Sequence, residues 1–130
     1  MYLLDTNTVI YFFKGYGKVA DMLLSKSPNE IAVASITVYE LEVGTAKSDR
    51  PDKRKKQLET LISRITVFPF SSKEAKVAAK IRAELESRGT PIGPLDNLIA
   101  GTAIWHNAVL VSRNTKEFNR IESLCVENWY

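Results

Sequence analysis

Four short apolar stretches set the rhythm of this chain: YLL (2–4), IAVAS (31–35), ITVFPF (65–70) and AVLVS (108–112). Each is too short for a helix and apolar on consecutive positions. That pattern predicts strands covered on both faces. CVENW (125–129) supplies a fifth. Between them, apolar residues recur at helical spacing. Helices are expected from about Thr8 to Gly15, Lys18 to Leu24, Val38 to Lys47 and Asp52 to Arg64. A long helix opens at the capping box Ser71–Glu74 and stops at Gly89. Another opens at Pro94, a proline suited to a first helical position, and a short turn covers Lys116–Asn119. Short strands alternating with helices predict an α/β fold with a mainly parallel central sheet between helical layers.

Length adds a single domain to this picture, with 130 residues and 45% hydrophobic content. The lone cysteine, Cys125, excludes an internal disulfide and fits a reducing compartment; it is expected as an inert core residue of the last strand. No apolar run approaches a membrane span. The N-terminus lacks the features of a signal peptide. A cytoplasmic protein is the expectation. Net charge is +3, with pI about 9.0. Lys47, Arg50, Lys53, Arg54, Lys55 and Lys56 crowd together, as a solvated helix face or as a patch for a polyanion.

Candidate chemistry lies in acids at strand-to-helix junctions. Asp5 follows the first strand, Glu40 the second, and Asp96 opens the helix begun by Pro94. Glu117 follows AVLVS, with Asn114 beside it. Each has a plainer role available. Asp5 suits a helix cap, Thr37–Glu40 fits a capping box, Asp96 complements a helix dipole, and Asn114 with Glu117 suits a cap on the last helix. In a parallel α/β sheet, however, all strand carboxyl ends share one edge, so these acids can converge. Clustered carboxylates repel unless a divalent cation sits among them, and oxygen ligands with room for water suit Mg²⁺ or Mn²⁺. Other chemistries lack their residues. His106 is the only histidine and is expected at a turn or in solvent. No Gly-rich phosphate loop is present. Cys and His ligands for zinc are missing.

At these positions the sequence resembles the PIN-domain VapC toxins of bacterial type II toxin–antitoxin pairs. LLDTNTVIYFFKG, SITVYELEVGTA, RGTPIGPLDNLIAGTA and LVSRNTKEFNRIESLCVENW carry the resemblance, in order and across essentially the whole chain. It implies a PIN-like three-layer α/β/α sandwich and a metal-dependent endoribonuclease. Matched by position, Asp5, Glu40, Asp96 and Glu117 would be its catalytic and metal-binding acids. Glu117 rather than Asn114 is chosen for the fourth place. Ser112 stands where the family commonly has threonine and would keep a hydroxyl near the site. Thr6 and Asn7 would orient the end of the first strand. Glu42 lies about 200° around the helix from Glu40 and cannot share its face.

The resemblance further implies Mg²⁺ or Mn²⁺, a small VapB-type antitoxin, contact with DNA only through that antitoxin, and a homodimer. Tyr11, Phe12, Phe13 and Tyr39 are candidates for the partner surfaces, if they are not core. The implied substrate is a structured RNA with an exposed loop. The anticodon loop of initiator tRNA is one expectation and ribosomal RNA loops the rival. Basic residues at the pocket rim, and the 47–56 cluster, would hold its backbone. Three other readings stay open. The DTN opening faintly resembles that of haloacid dehalogenase-type phosphatases. A receiver domain shares the size, but FPFSS lacks its acceptor aspartate. A PIN fold with a decayed site would be a binding module only.

Overall fold

The computed structural model describes residues 1–130. Its centre is a five-stranded sheet of β1 (Tyr2–Leu4), β2 (Ile31–Ala34), β3 (Thr66–Phe68), β4 (Val109–Val111) and β5 (Val126–Glu127). Every pairing is parallel and the spatial order is β3-β2-β1-β4-β5. Seven helices cover it: α1 (Thr6–Lys14), α2 (Val19–Leu24), α3 (Ser35–Lys47), α4 (Pro51–Ile62), α5 (Ser72–Ser87), α6 (Pro94–Trp105) and α7 (Thr115–Phe118). No helix is long and apolar enough to cross a membrane.

The strands read as unbroken apolar runs because both faces are buried, yet alternation survives inside them. Leu3, Ala32 and Leu110 join a core with α5, α6 and α7, through Leu85, Ile99 and Phe118. Their neighbours Leu4, Val33 and Val111 join a second core with α1 to α4, through Val9, Leu41 and Leu58. Successive residues pointing to opposite faces thus build two cores on one sheet, which is the expected three-layer sandwich.

The closest helix contact is between α5 and α6. A Cβ placed on Gly101 would lie 2.6 Å from the Cβ of Ala78. Glycine there allows the two backbones to touch. Asn97 Nδ2 secures the same contact by donating to the Ala78 carbonyl at 2.8 Å.

Several local expectations are met. Gly15 ends α1 at φ 72°, and the Ser71–Glu74 box and Pro94 open their helices. Two are corrected. α3 starts at Ser35, directly from the end of β2, so Thr37 and Glu40 form no capping box. Cys125 is exposed just before β5 rather than packed in the core, because Leu124 and Val126 on either side of it turn to the core and leave it on the opposite face.

Candidate active site

The sheet order places the reversal of chain direction between β1 and β4. From β1 the chain steps outward to β2 and β3, and it returns on the other side as β4 and β5. The crevice above such a switch point is where open α/β sheets hold their sites. Asp5 leaves β1 at this point and Ser112 leaves β4 beside it. The two loops are joined by the Asp5 N–H, which donates to the Val111 carbonyl at 3.1 Å.

Asp5 serves two roles at once. It is the N-cap of α1, accepting the Thr8 N–H at 2.9 Å, and it is only 4% exposed. Burial pushes its carboxyl above the usual range, while hydrogen bonds from the Ser112 hydroxyl and from Thr8 pull it back. Ser112 is wholly buried. Its hydroxyl also takes the Asn114 N–H at 3.0 Å.

Glu40 is held from across the chain. Thr6 Oγ1 donates to Glu40 Oε1 at 2.6 Å and lies 3.3 Å from Thr37 Oγ1. Thr6, at the end of the first strand, therefore orients Glu40. Thr37 is buried beneath this pair. Glu42 faces solvent, as the helical turn requires.

Glu117 is held by Asn114, whose Nδ2 donates to Glu117 Oε2 at 2.7 Å. Asn114 sits at the N-cap position of α7 but its side chain does not cap that helix. The two residues that compete for one role in the sequence are thus bonded to each other. Asn7 is exposed. It lines a 240 Å³ cavity with Asp5, Tyr11, Arg113 and Asn114.

Asp96 faces the other three acids. It lies in the first turn of α6, where the helix dipole favours a negative charge. Its carboxyl is nonetheless pushed up to about 6, first by burial and then by the charges of Asp5, Glu40 and Glu117. All three other acids are therefore close enough to repel it. None of the four is in either ion pair of the molecule, Arg82–Glu86 or His106–Glu74.

The donor set suits a hard divalent cation. As the side chains stand, no three acids close into a metal-binding group. An open arrangement fits Mg²⁺, which keeps several waters and takes one or two carboxylates with substrate phosphate, rather than a full protein cage.

His106 lies at a turn, as expected, but is half-buried rather than in solvent. It caps α6, stacks on Phe68 with ring centroids 3.8 Å apart, and binds Glu74 Oε2 at 2.7 Å. Glu74 is buried and also accepts from Ser71. Burial alone would raise its carboxyl, but hydrogen bonds from Ser71, the backbone and His106 bring it down to about 2. The sequence held no sign of this pairing, because its members lie on separate helices.

The basic 47–56 stretch divides between two cavities. Lys53 and Lys56 rim a 720 Å³ groove floored by Phe12, Phe13, Leu23 and Leu61. A second cavity of 280 Å³ shares Phe13 with that groove and reaches Glu40 and Arg54.

Comparison with known proteins agrees with this geometry. The chain matches the PIN domain family model over residues 2–124. It is 38% identical over 131 residues to Ribonuclease VapC2 of Rickettsia felis, covering 99% of this chain and 98% of that protein. It is 36% identical over 128 residues to the tRNA(fMet)-specific endonuclease VapC of Salmonella typhimurium, covering 98% of this chain and 97% of that protein. Two solved complexes superpose with a TM-score of 0.92: VapBC2 of Rickettsia felis bound to a promoter DNA fragment, and DNA-bound VapBC of Salmonella typhimurium. They share 38% and 35% identity, covering 99% of this chain and 98% of theirs.

Proposed function

The chain belongs to the PIN-domain VapC family of ribonucleases, and from that premise we propose that it is a metal-dependent endoribonuclease toxin held in check by a VapB-type antitoxin. The observation that carries the reading is the response of Asp96 to Asp5, Glu40 and Glu117 together. Four carboxylates at a sheet switch point, none of them in an ion pair, are costly unless they have a use.

In this reading Asp5 and Asp96 are the direct ligands of Mg²⁺ or Mn²⁺, with Glu40 and Glu117 completing the negative pocket. The ion supplies Lewis acidity toward a phosphodiester and lowers the pKa of an attacking water. Thr6 keeps the Glu40 carboxylate turned inward. Asn114 does the same for Glu117, and the Ser112 hydroxyl holds Asp5. In-line attack by water leaves a 5′-phosphate and a 3′-hydroxyl. The names of the relatives favour initiator tRNA as substrate, with its unpaired anticodon loop the part most open to a protein.

The apolar groove suits the antitoxin. Its Phe12 and Phe13 are only half covered, and Leu24 is 77% exposed. A segment seated there passes Phe13 into the second cavity and arrives at Glu40. Blocking and binding are then one act. Tyr39 and Val43 lie one turn apart on α3, both exposed, and offer a face for a second copy. DNA contact belongs to the antitoxin.

Phosphatase and receiver readings fall with the family. A catalytically silent binding module is separated by experiment. Purified antitoxin-free protein is incubated with total bacterial RNA in Mg²⁺, in Mn²⁺ and in chelator, alongside Asp5→Asn. Discrete fragments with 5′-phosphate ends, dependent on metal and absent in the variant, are expected. Cyclic-phosphate ends, or folded protein that cuts nothing, would overturn the reading.

A further inference from the structure

We infer that Arg113, stacked on Tyr130 at the edge of the acidic pocket, is the anchor for an RNA phosphate adjoining the bond that is cut. The inference rests on the ribonuclease reading and adds to it a substrate-contacting residue outside the acids.

Arg113 directly follows Ser112 at the carboxyl end of β4 and lines the 240 Å³ cavity that contains Asp5. Its guanidinium carbon lies 3.6 Å from the centroid of the Tyr130 ring and 5.8 Å from that of Tyr11. The two tyrosines meet edge to face at 4.9 Å. Tyr130 is itself fixed. The Lys18 N–H donates to its carbonyl at 3.3 Å, and its own N–H donates to Asn128 Oδ1 at 2.9 Å. Gly17, at φ +61°, backs onto it so closely that a Cβ there would lie 2.9 Å from the Tyr130 backbone. Next to it, Trp129 is buried against Tyr2. The platform under Arg113 is therefore held in place, with the Tyr130 side chain partly exposed.

A guanidinium stacked on a ring keeps its in-plane N–H donors free. Arg113 is in neither ion pair of the molecule, although it shares a cavity with a buried carboxylate. A positive group that is positioned, exposed and uncommitted beside an acidic pocket has an anion as its natural partner. Its fork matches two oxygens of one phosphate, and stacking has already removed much of the freedom that binding would cost. The need is specific. Four carboxylates repel an incoming RNA strand, and Arg113 is the basic residue that lines the cavity containing Asp5.

The test uses a fluorescein-labelled single-stranded oligouridylate in chelator, so that binding is read without cleavage, by anisotropy over a range of salt. Arg113→Ala is expected to weaken binding about tenfold and to flatten the log–log salt slope by about 0.7, the value for one phosphate contact to a single strand. Arg113→Lys should keep the slope while losing part of the affinity, and Tyr130→Ala should lose affinity with the slope intact. In cleavage assays Arg113→Ala should raise KM more than it lowers kcat. Circular dichroism checks that each variant is folded. If wild-type protein binds and cuts RNA but Arg113→Ala matches it in affinity and slope, this inference alone is overturned. The same holds if the variant weakens only antitoxin pairing. If wild-type protein neither binds nor cuts RNA, the ribonuclease reading beneath it fails instead.

Discussion

Thr6 donates its hydroxyl to Glu40 across 2.6 Å, tying the first turn of α1 to α3. A hydrogen bond to a charged group contributes about 1.5–3 kcal/mol. If that energy positions Glu40 for reaction, Thr6→Val should slow cleavage by about 10- to 100-fold. Thr6→Ser keeps the hydroxyl and should stay near wild type. Single-turnover cleavage of initiator tRNA reads both.

Asp96 makes a pH prediction. Its carboxyl titrates near 6 in the folded protein, against 3.8 as the ordinary value. A raised carboxyl favours the folded state fully below pH 3.8, and that contribution is lost as pH rises through 6. Without metal, Asp96→Asn should therefore be more stable than wild type above pH 6. After allowance for solvent screening the gain is about 1 kcal/mol. It should vanish below pH 4. Added Mg²⁺ should stabilise wild type and not the variant. Urea titrations across pH, in chelator and in Mg²⁺, check each sign.

Gly101 tests the packing that carries Asp96. A Cβ there would meet the Cβ, Cα and N of Ala78 at 2.6, 2.8 and 2.9 Å. Two of these atoms are backbone, so α5 and α6 must part. Gly101→Ala should cost about 1–3 kcal/mol in urea unfolding, despite the better helix propensity of alanine.

Much of this was legible because it is local. Gly15, the Ser71–Glu74 box and Pro94 announce helix ends by their own chemistry, and Asp5 and Glu40 follow strands whose carboxyl ends any parallel sheet brings together, whereas Asp96 opens a helix that follows α5 and not a strand. The start of α3 was not legible. Ser35 continues the small apolar run of β2, and β-branched Ile36 and Thr37 do not favour a helix, so Thr37 was read as a cap. In the fold it is buried next to Thr6, a contact no local pattern contains. Arg113 was invisible for the same reason. Its platform comes from Tyr130, brought beside it by the turn after β5 and by Gly17 at the other end of the chain. The turn at His106 is legible, but its bond to Glu74 is not, because Glu74 belongs to α5.

The most direct test of the central claim is Mn²⁺ binding, followed by electron paramagnetic resonance in the absence of RNA. Wild-type protein should bind Mn²⁺, and Asp5→Asn or Asp96→Asn should weaken binding at least tenfold, with a smaller loss for Glu117→Gln. Equal Mn²⁺ affinity in wild type and both aspartate variants would contradict the account, because these carboxylates would then gather no ion.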